Sequence, residues 1–123
     1  MAGPQILIAE DEVSLRNLLF EALTEKGLRV VQAANGLHAS QILKDNRGIS
    51  VLLSDARMPR IDGYAFVEYA LLHNPQLKVL MMAEYPGQLP PPDALKAREI
   101  VTVVKPFTMD DMCERVIGML AWP

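Results

Sequence analysis

Apolar residues fall into two kinds of run that alternate along the chain. Short, nearly unbroken runs occur at Ile6-Leu7-Ile8-Ala9, at Ser50–Ser54 (through Val51, Leu52 and Leu53), at Lys78–Met82 and at Val101–Val104. Runs of this length without polar alternation suit strands buried on both faces. Arg29–Ala33 has the same length but polar interruptions, as expected of an edge strand. Between these runs the apolar positions take helical spacing: Leu15, Leu18, Leu19, Ala22 and Leu23; then Ala39, Ile42 and Leu43; then Phe66, Val67, Ala70 and Leu71; finally Met112, Cys113, Val116, Ile117 and Leu120.

Local signals set the boundaries. Asp11 is placed to cap the first helix and Gly27 to end it. Asn35-Gly36 turns the chain into the second helix, and Asn74-Pro75 stops the third. Thr108, with Asp111 three residues on, resembles a capping box. The residues from Asp55 to Gly63 read as a loop. The run Pro86–Pro92 is a rigid loop that leaves room only for a short helix between Asp93 and Arg98.

Strand and helix thus alternate through the chain. That order predicts an α/β fold, a doubly wound parallel sheet covered by helices on both faces. The polar second strand belongs at an edge, which gives the order 2-1-3-4-5. A single domain over residues 1–123 is expected. Ligands of such sheets bind beyond the carboxyl ends of the strands, where the strand order reverses. Here that point lies between strands one and three. Strand one runs into Glu10-Asp11-Glu12, strand three into Asp55, and strand five into Lys105. Converging carboxylates raise one another's pKa unless a cation compensates, and Mg²⁺ prefers such oxygen ligands. An aspartate in that setting can accept a phosphoryl group, and a lysine can pair with its oxygens.

Composition narrows the function classes. Half of the residues (50%) are hydrophobic and 22% are charged, as in globular chains. The net charge of -3 and the lack of a basic stripe argue against direct nucleic-acid binding. No apolar run approaches the ~20 residues needed to span a bilayer. No signal peptide is evident, and the lone Cys113 cannot form an internal disulfide, so a cytoplasmic setting is expected. Cys113 reads as core. His38 and His73 read as surface or boundary residues without partners at metal spacing. Trp122 follows the last helix, free to pack on it or to mark a join to another domain.

Three stretches carry a resemblance. Ile6–Glu12 is similar to the first strand and acidic cluster of the receiver domains of two-component response regulators. Asp55-Ala56-Arg57-Met58-Pro59-Arg60-Ile61-Asp62-Gly63 matches that family's D-x-x-M-P-x-x-D-G signature, and Lys105-Pro106-Phe107 its K-P-F. The resemblance spans nearly the whole chain and implies a flavodoxin-like (βα)5 fold. It implies Asp55 as phosphoacceptor and Lys105 as phosphoryl ligand. Mg²⁺ would be held by Asp11, Asp55 and the backbone carbonyl of Arg57, with Glu10 acting through water. It further implies a cis Lys105-Pro106 bond, and Met58, Pro59 and Gly63 as loop-shaping residues. The donor would be a histidine kinase or phosphotransfer protein. Such a domain is not a turnover enzyme, although it catalyses its own phosphorylation and dephosphorylation. The resemblance leaves open a free-standing regulator, a homodimer, and a receiver from a hybrid sensor kinase.

Two positions depart from the family pattern. The hydroxyl residue usual at the end of strand four is Ala83, and the aromatic position of strand five is Thr102. The usual output switch is therefore missing while the acceptor chemistry is intact. A degenerate receiver acting as a phosphorylation-independent binding module is the alternative. Arg57 and Tyr85 flank the expected pocket, either contacting a phosphoryl group or lying in solvent. A flavin-binding protein would need a hydroxyl- and glycine-rich loop after strand one, where this chain has three acids. An aspartyl phosphatase would need D-x-D there, and Glu10-Asp11-Glu12 does not supply it.

Overall fold

The computed structural model describes residues 5–58, 61–88, 93–96, 98 and 100–121. Pro59, Pro90–Pro92 and Trp122 lie outside the described residues. The elements are β1 (Gln5–Ala9), α1 (Val13–Glu25), β2 (Arg29–Ala33), α2 (Gly36–Asp45), β3 (Ile49–Asp55), β4 (Arg57–Met58), β5 (Ile61–Asp62), α3 (Gly63–His73), β6 (Lys78–Ala83), β7 (Ile100–Val104) and α4 (Met109–Leu120). The main sheet is parallel with order β2-β1-β3-β6-β7, the order expected from the sequence.

Side-chain alternation along the strands explains the two helical layers. Leu7 and Ala9 of β1, Leu52 of β3, and Val79 and Met81 of β6 point to one face. There they pack with Ala39 and Leu43 of α2 and Phe66, Val67 and Ala70 of α3. Ile6, Ile8, Val51, Leu53, Leu80 and Met82 point the other way, against Leu19 and Leu23 of α1 and Met112, Cys113, Val116 and Met119 of α4. Cys113 is buried, and burial pushes its thiol pKa up, so it is an inert core residue. β2 is the edge strand, with Arg29 exposed and the next three residues half-buried.

Caps follow the sequence signals in most places. Asn35 accepts the His38 N–H at 2.9 Å at the start of α2, and Thr108 Oγ1 accepts the Asp111 N–H at 3.0 Å at the start of α4. Gly27 takes a left-handed φ of 83° after α1. Asp11 does not cap α1. The helix begins at Val13, so Glu12 holds the cap position, and it makes no side-chain cap bond. The Asp55–Gly63 loop contains a two-residue antiparallel pair, β4–β5, and Asp93–Leu95 forms only a single 3-10 turn. Among the described residues, no helix is long and apolar enough to cross a membrane.

Candidate functional site

β1, β3, β6 and β7 end side by side because their register is in step. Ala9 pairs with Ser54, Asp55 with Met82, and Ala83 with Val104. The backbone ladder continues one step past the strands: the Ala56 N–H donates to Met82 O at 2.8 Å, and the Lys105 N–H to Ala83 O at 2.7 Å. The strand register thereby delivers Glu10, Asp11, Asp55 and Lys105 to one place. Arg16 Nη1 donates to Glu10 O at 2.8 Å, and Glu10 Oε2 accepts the Glu12 N–H at 2.9 Å, which fixes the turn after β1.

Glu10, Asp11 and Asp55 each offer a carboxylate oxygen, all within 4.8 Å of one another. Glu10 is 1% exposed and Asp55 3% exposed, while Asp11 is open to solvent. Lys105 Nζ lies 2.9 Å from Asp55 Oδ1, 3.5 Å from Glu10 Oε1 and 3.5 Å from Glu84 Oε1. One ammonium therefore faces three carboxylates, with Asp11 close by. Burial, and after it the neighbouring Glu10, pushes the Asp55 carboxyl up to about 8 against the pull of Lys105. Burial lowers the Lys105 pKa, but Asp55, Glu10 and Glu84 outweigh it and hold the ammonium well above its ordinary value. The two shifts are compatible: Lys105 keeps its charge, and burial favours the protonated form of Asp55.

This is an electrostatically unsatisfied arrangement. Asp55 Oδ1 is buried and pairs with the Lys105 ammonium at 2.9 Å. Three carboxylate oxygens in reach of one point, faced by a single ammonium, suit a hard divalent cation. The donor set fits Mg²⁺ and offers no nitrogen or sulfur for softer metals.

Gly63 fixes the loop that carries the acceptor. Its N–H donates to Ala56 O at 3.1 Å. A Cβ there would sit 2.3 Å from Asp55 O and 2.5 Å from Ala56 O, which are backbone atoms that cannot swing aside. Gly63→Ala should therefore destabilise the protein by ~2–4 kcal/mol in urea unfolding, at the upper end of overpacking costs. An unchanged midpoint would show that the loop relaxes freely.

Ala83 is buried at the end of β6 and brings no hydroxyl, and Thr102 is exposed on β7, so neither offers the usual switch group. Lys105-Pro106 is cis, in line with the resemblance. Arg57 is exposed and Tyr85 58% exposed; both have solvent-facing side chains. His38 and His73 are exposed on α2 and α3, away from the acids. Sequence reasoning missed two participants. Glu84 carried no motif signal, because its approach to Lys105 depends on the exit from β6. Arg16 acts through a backbone carbonyl, which no residue pattern marks.

Comparison with known proteins bears on the whole chain. The model of the response regulator receiver domain matches residues 6–117. The chain is 31% identical over 116 residues to the response regulator receiver protein CpdR of Brucella abortus (strain 2308), covering 94% of this chain and 96% of that protein. It is 32% identical over 117 residues to sporulation initiation phosphotransferase F of Bacillus subtilis (strain 168), covering 94% and 93%. The crystal structure of the receiver domain of the hybrid histidine kinase CckA matches with a TM-score of 0.79 at 29% identity, over 94% of this chain and 98% of that one. Vibrio cholerae chemotaxis protein CheY4 matches with a TM-score of 0.82 at 24% identity, over 96% and 99%, which speaks to the fold alone.

Proposed function

The chain belongs to the response regulator receiver domain family, and from that premise we propose that it accepts a phosphoryl group on Asp55, with Mg²⁺ beside it, in two-component signalling. The observation that carries this reading is Asp55 itself. It is a buried side chain 2.9 Å from Lys105 and within 4.8 Å of two further acids.

Asp11, Asp55 and the Arg57 backbone carbonyl would hold Mg²⁺, with Glu10 acting through water, and the ion would supply the charge that lets an anionic donor meet an anionic nucleophile. An Asp55 carboxylate oxygen attacks the phosphorus of a phosphohistidine on a histidine kinase or phosphotransfer protein. A P–O bond forms, the P–N bond breaks, and the leaving imidazole takes a proton from solvent. Lys105 pairs with the phosphoryl oxygens as charge develops. The domain is a signalling module rather than a turnover enzyme. An open groove of about 320 Å³ lined by Leu15, Leu18, Lys105, Phe107 and Met109 offers a surface on which a protein donor would seat.

Ala83 supports a second reading of the output. With no hydroxyl there and no ring at position 102, one charge-assisted hydrogen bond, about 1.5–3 kcal/mol of preference for a switched state, is missing. Phosphorylation would then be transmitted by another route, or the domain would serve as a phosphorylation-independent binding module. Intact mass after incubation with Mg²⁺ and acetyl phosphate separates the two. A gain of one phosphoryl group, absent in Asp55→Asn, supports the acceptor. No gain from acetyl phosphate or from a phosphorylated protein donor, with Mg²⁺ binding shown separately, favours the binding module.

A further inference from the structure

We propose that Glu84 is a positioning residue for phosphoryl transfer, holding the Lys105 ammonium in the resting protein and yielding it to the incoming phosphoryl group. The inference rests on the acceptor reading above and concerns the same site.

Glu84 directly follows β6, and its Oε1 stands 3.5 Å from Lys105 Nζ, the same distance as Glu10 Oε1. The two glutamates differ in setting, since the Glu84 side chain is 65% exposed and that of Glu10 only 1%. The backbone that carries Glu84 is anchored. Its N–H donates to Gln88 Oε1 at 2.6 Å, and the Gln88 N–H donates to Tyr85 O at 3.2 Å. Gln88 is itself only 9% exposed, so a mostly buried carboxamide closes the turn that carries Glu84.

An ammonium has three protons to donate. In this chain Asp55, Glu10 and Glu84 face it, so a phosphoryl oxygen that approaches Lys105 competes with carboxylates. Glu84 is the one that solvent can receive. Its charge also sits at the open side of the site, where it repels an anionic donor. Both effects slow entry of small phosphodonors, and both weaken with salt.

The test is the rate of mass gain on Asp55 from subsaturating acetyl phosphate at saturating Mg²⁺, at low and high ionic strength, in wild type, Glu84→Gln, Glu84→Asp and Gln88→Ala. At low ionic strength Glu84→Gln should react roughly three- to tenfold faster, mainly through a lower half-saturating donor concentration, with the advantage closing in high salt. Glu84→Asp keeps the charge but draws it back by one methylene, so its rate should fall between those of wild type and Glu84→Gln. Gln88→Ala should move the same way as Glu84→Gln by a smaller factor, without any change of charge. Equal rates for wild type and Glu84→Gln, or a difference indifferent to salt, overturn the proposal and leave the acceptor reading standing. A wild-type chain that takes no phosphoryl group from acetyl phosphate or from a phosphorylated protein donor overturns the acceptor reading, and this one with it.

Discussion

Asp55→Asn should abolish the phosphoryl gain completely and, in metal-free protein at pH 8, raise stability by about 2–3 kcal/mol. The first effect follows from chemistry, since a carboxamide oxygen is too weak a nucleophile to replace a carboxylate. The second follows from the carboxyl's setting. Its pKa is raised from 3.8 to about 8, so folding favours the protonated form. A raised acid contributes stability that is fully present below its unfolded pKa and lost as pH rises through its folded pKa. Metal-free wild type should therefore weaken steadily from about pH 4 to pH 8. The full shift would set a ceiling of about 6 kcal/mol. Solvent screening near the open side of the site reduces that figure. Asparagine keeps the shape without the charge, so its stability should be nearly flat across the same range. Mg²⁺ should stabilise wild type strongly at pH 8 and the variant little. Thermal melts at several pH values, with and without Mg²⁺, check this. A variant less stable than wild type at pH 8 would mean that the Asp55–Lys105 ion pair outweighs desolvation.

The fold was legible because its strands are buried on both sides. Ile6–Ala9 and Val51–Leu53 leave no polar alternate to suggest another element, and Arg29 and Gln32 mark the edge. The juxtaposition of Asp11, Asp55 and Lys105 was legible for the same reason: parallel strands in step must end together, so the residues after them meet. What escaped had no periodicity to read. The β4–β5 pair is two residues long on each side, below any hydrophobic repeat. Asp11 is an equally good cap residue by type, but the helix starts two places later and leaves its carboxylate with the acidic cluster. Glu84 follows a strand end like the other site residues. Its role depends on a side-chain bond from Gln88 that spacing alone does not reveal.

Lys105→Gln should slow phosphoryl transfer by ~100-fold or more without abolishing it, the usual cost of removing one donor aimed at developing negative charge. The nucleophile stays, which separates this variant from Asp55→Asn. Its pH behaviour should separate the two as well. Lys105 is what pulls the Asp55 carboxyl down, against burial and Glu10. Without it that carboxyl holds its proton to still higher pH, so the metal-free variant should go on losing stability above pH 8, where wild type levels off. Glu10 and Glu84 lose the same partner. A buried acid left without its cation costs about 3 kcal/mol or more, so the variant's deficit should be largest in chelator at high pH and shrink when Mg²⁺ is added. At low pH, where the carboxyls are protonated, the deficit should nearly vanish. A rate loss with no pH-dependent change in stability would place Lys105 in catalysis alone. Unchanged rates would mean that the phosphoryl group is held by something other than this lysine, and the 2.9 Å contact with Asp55 would then be structural.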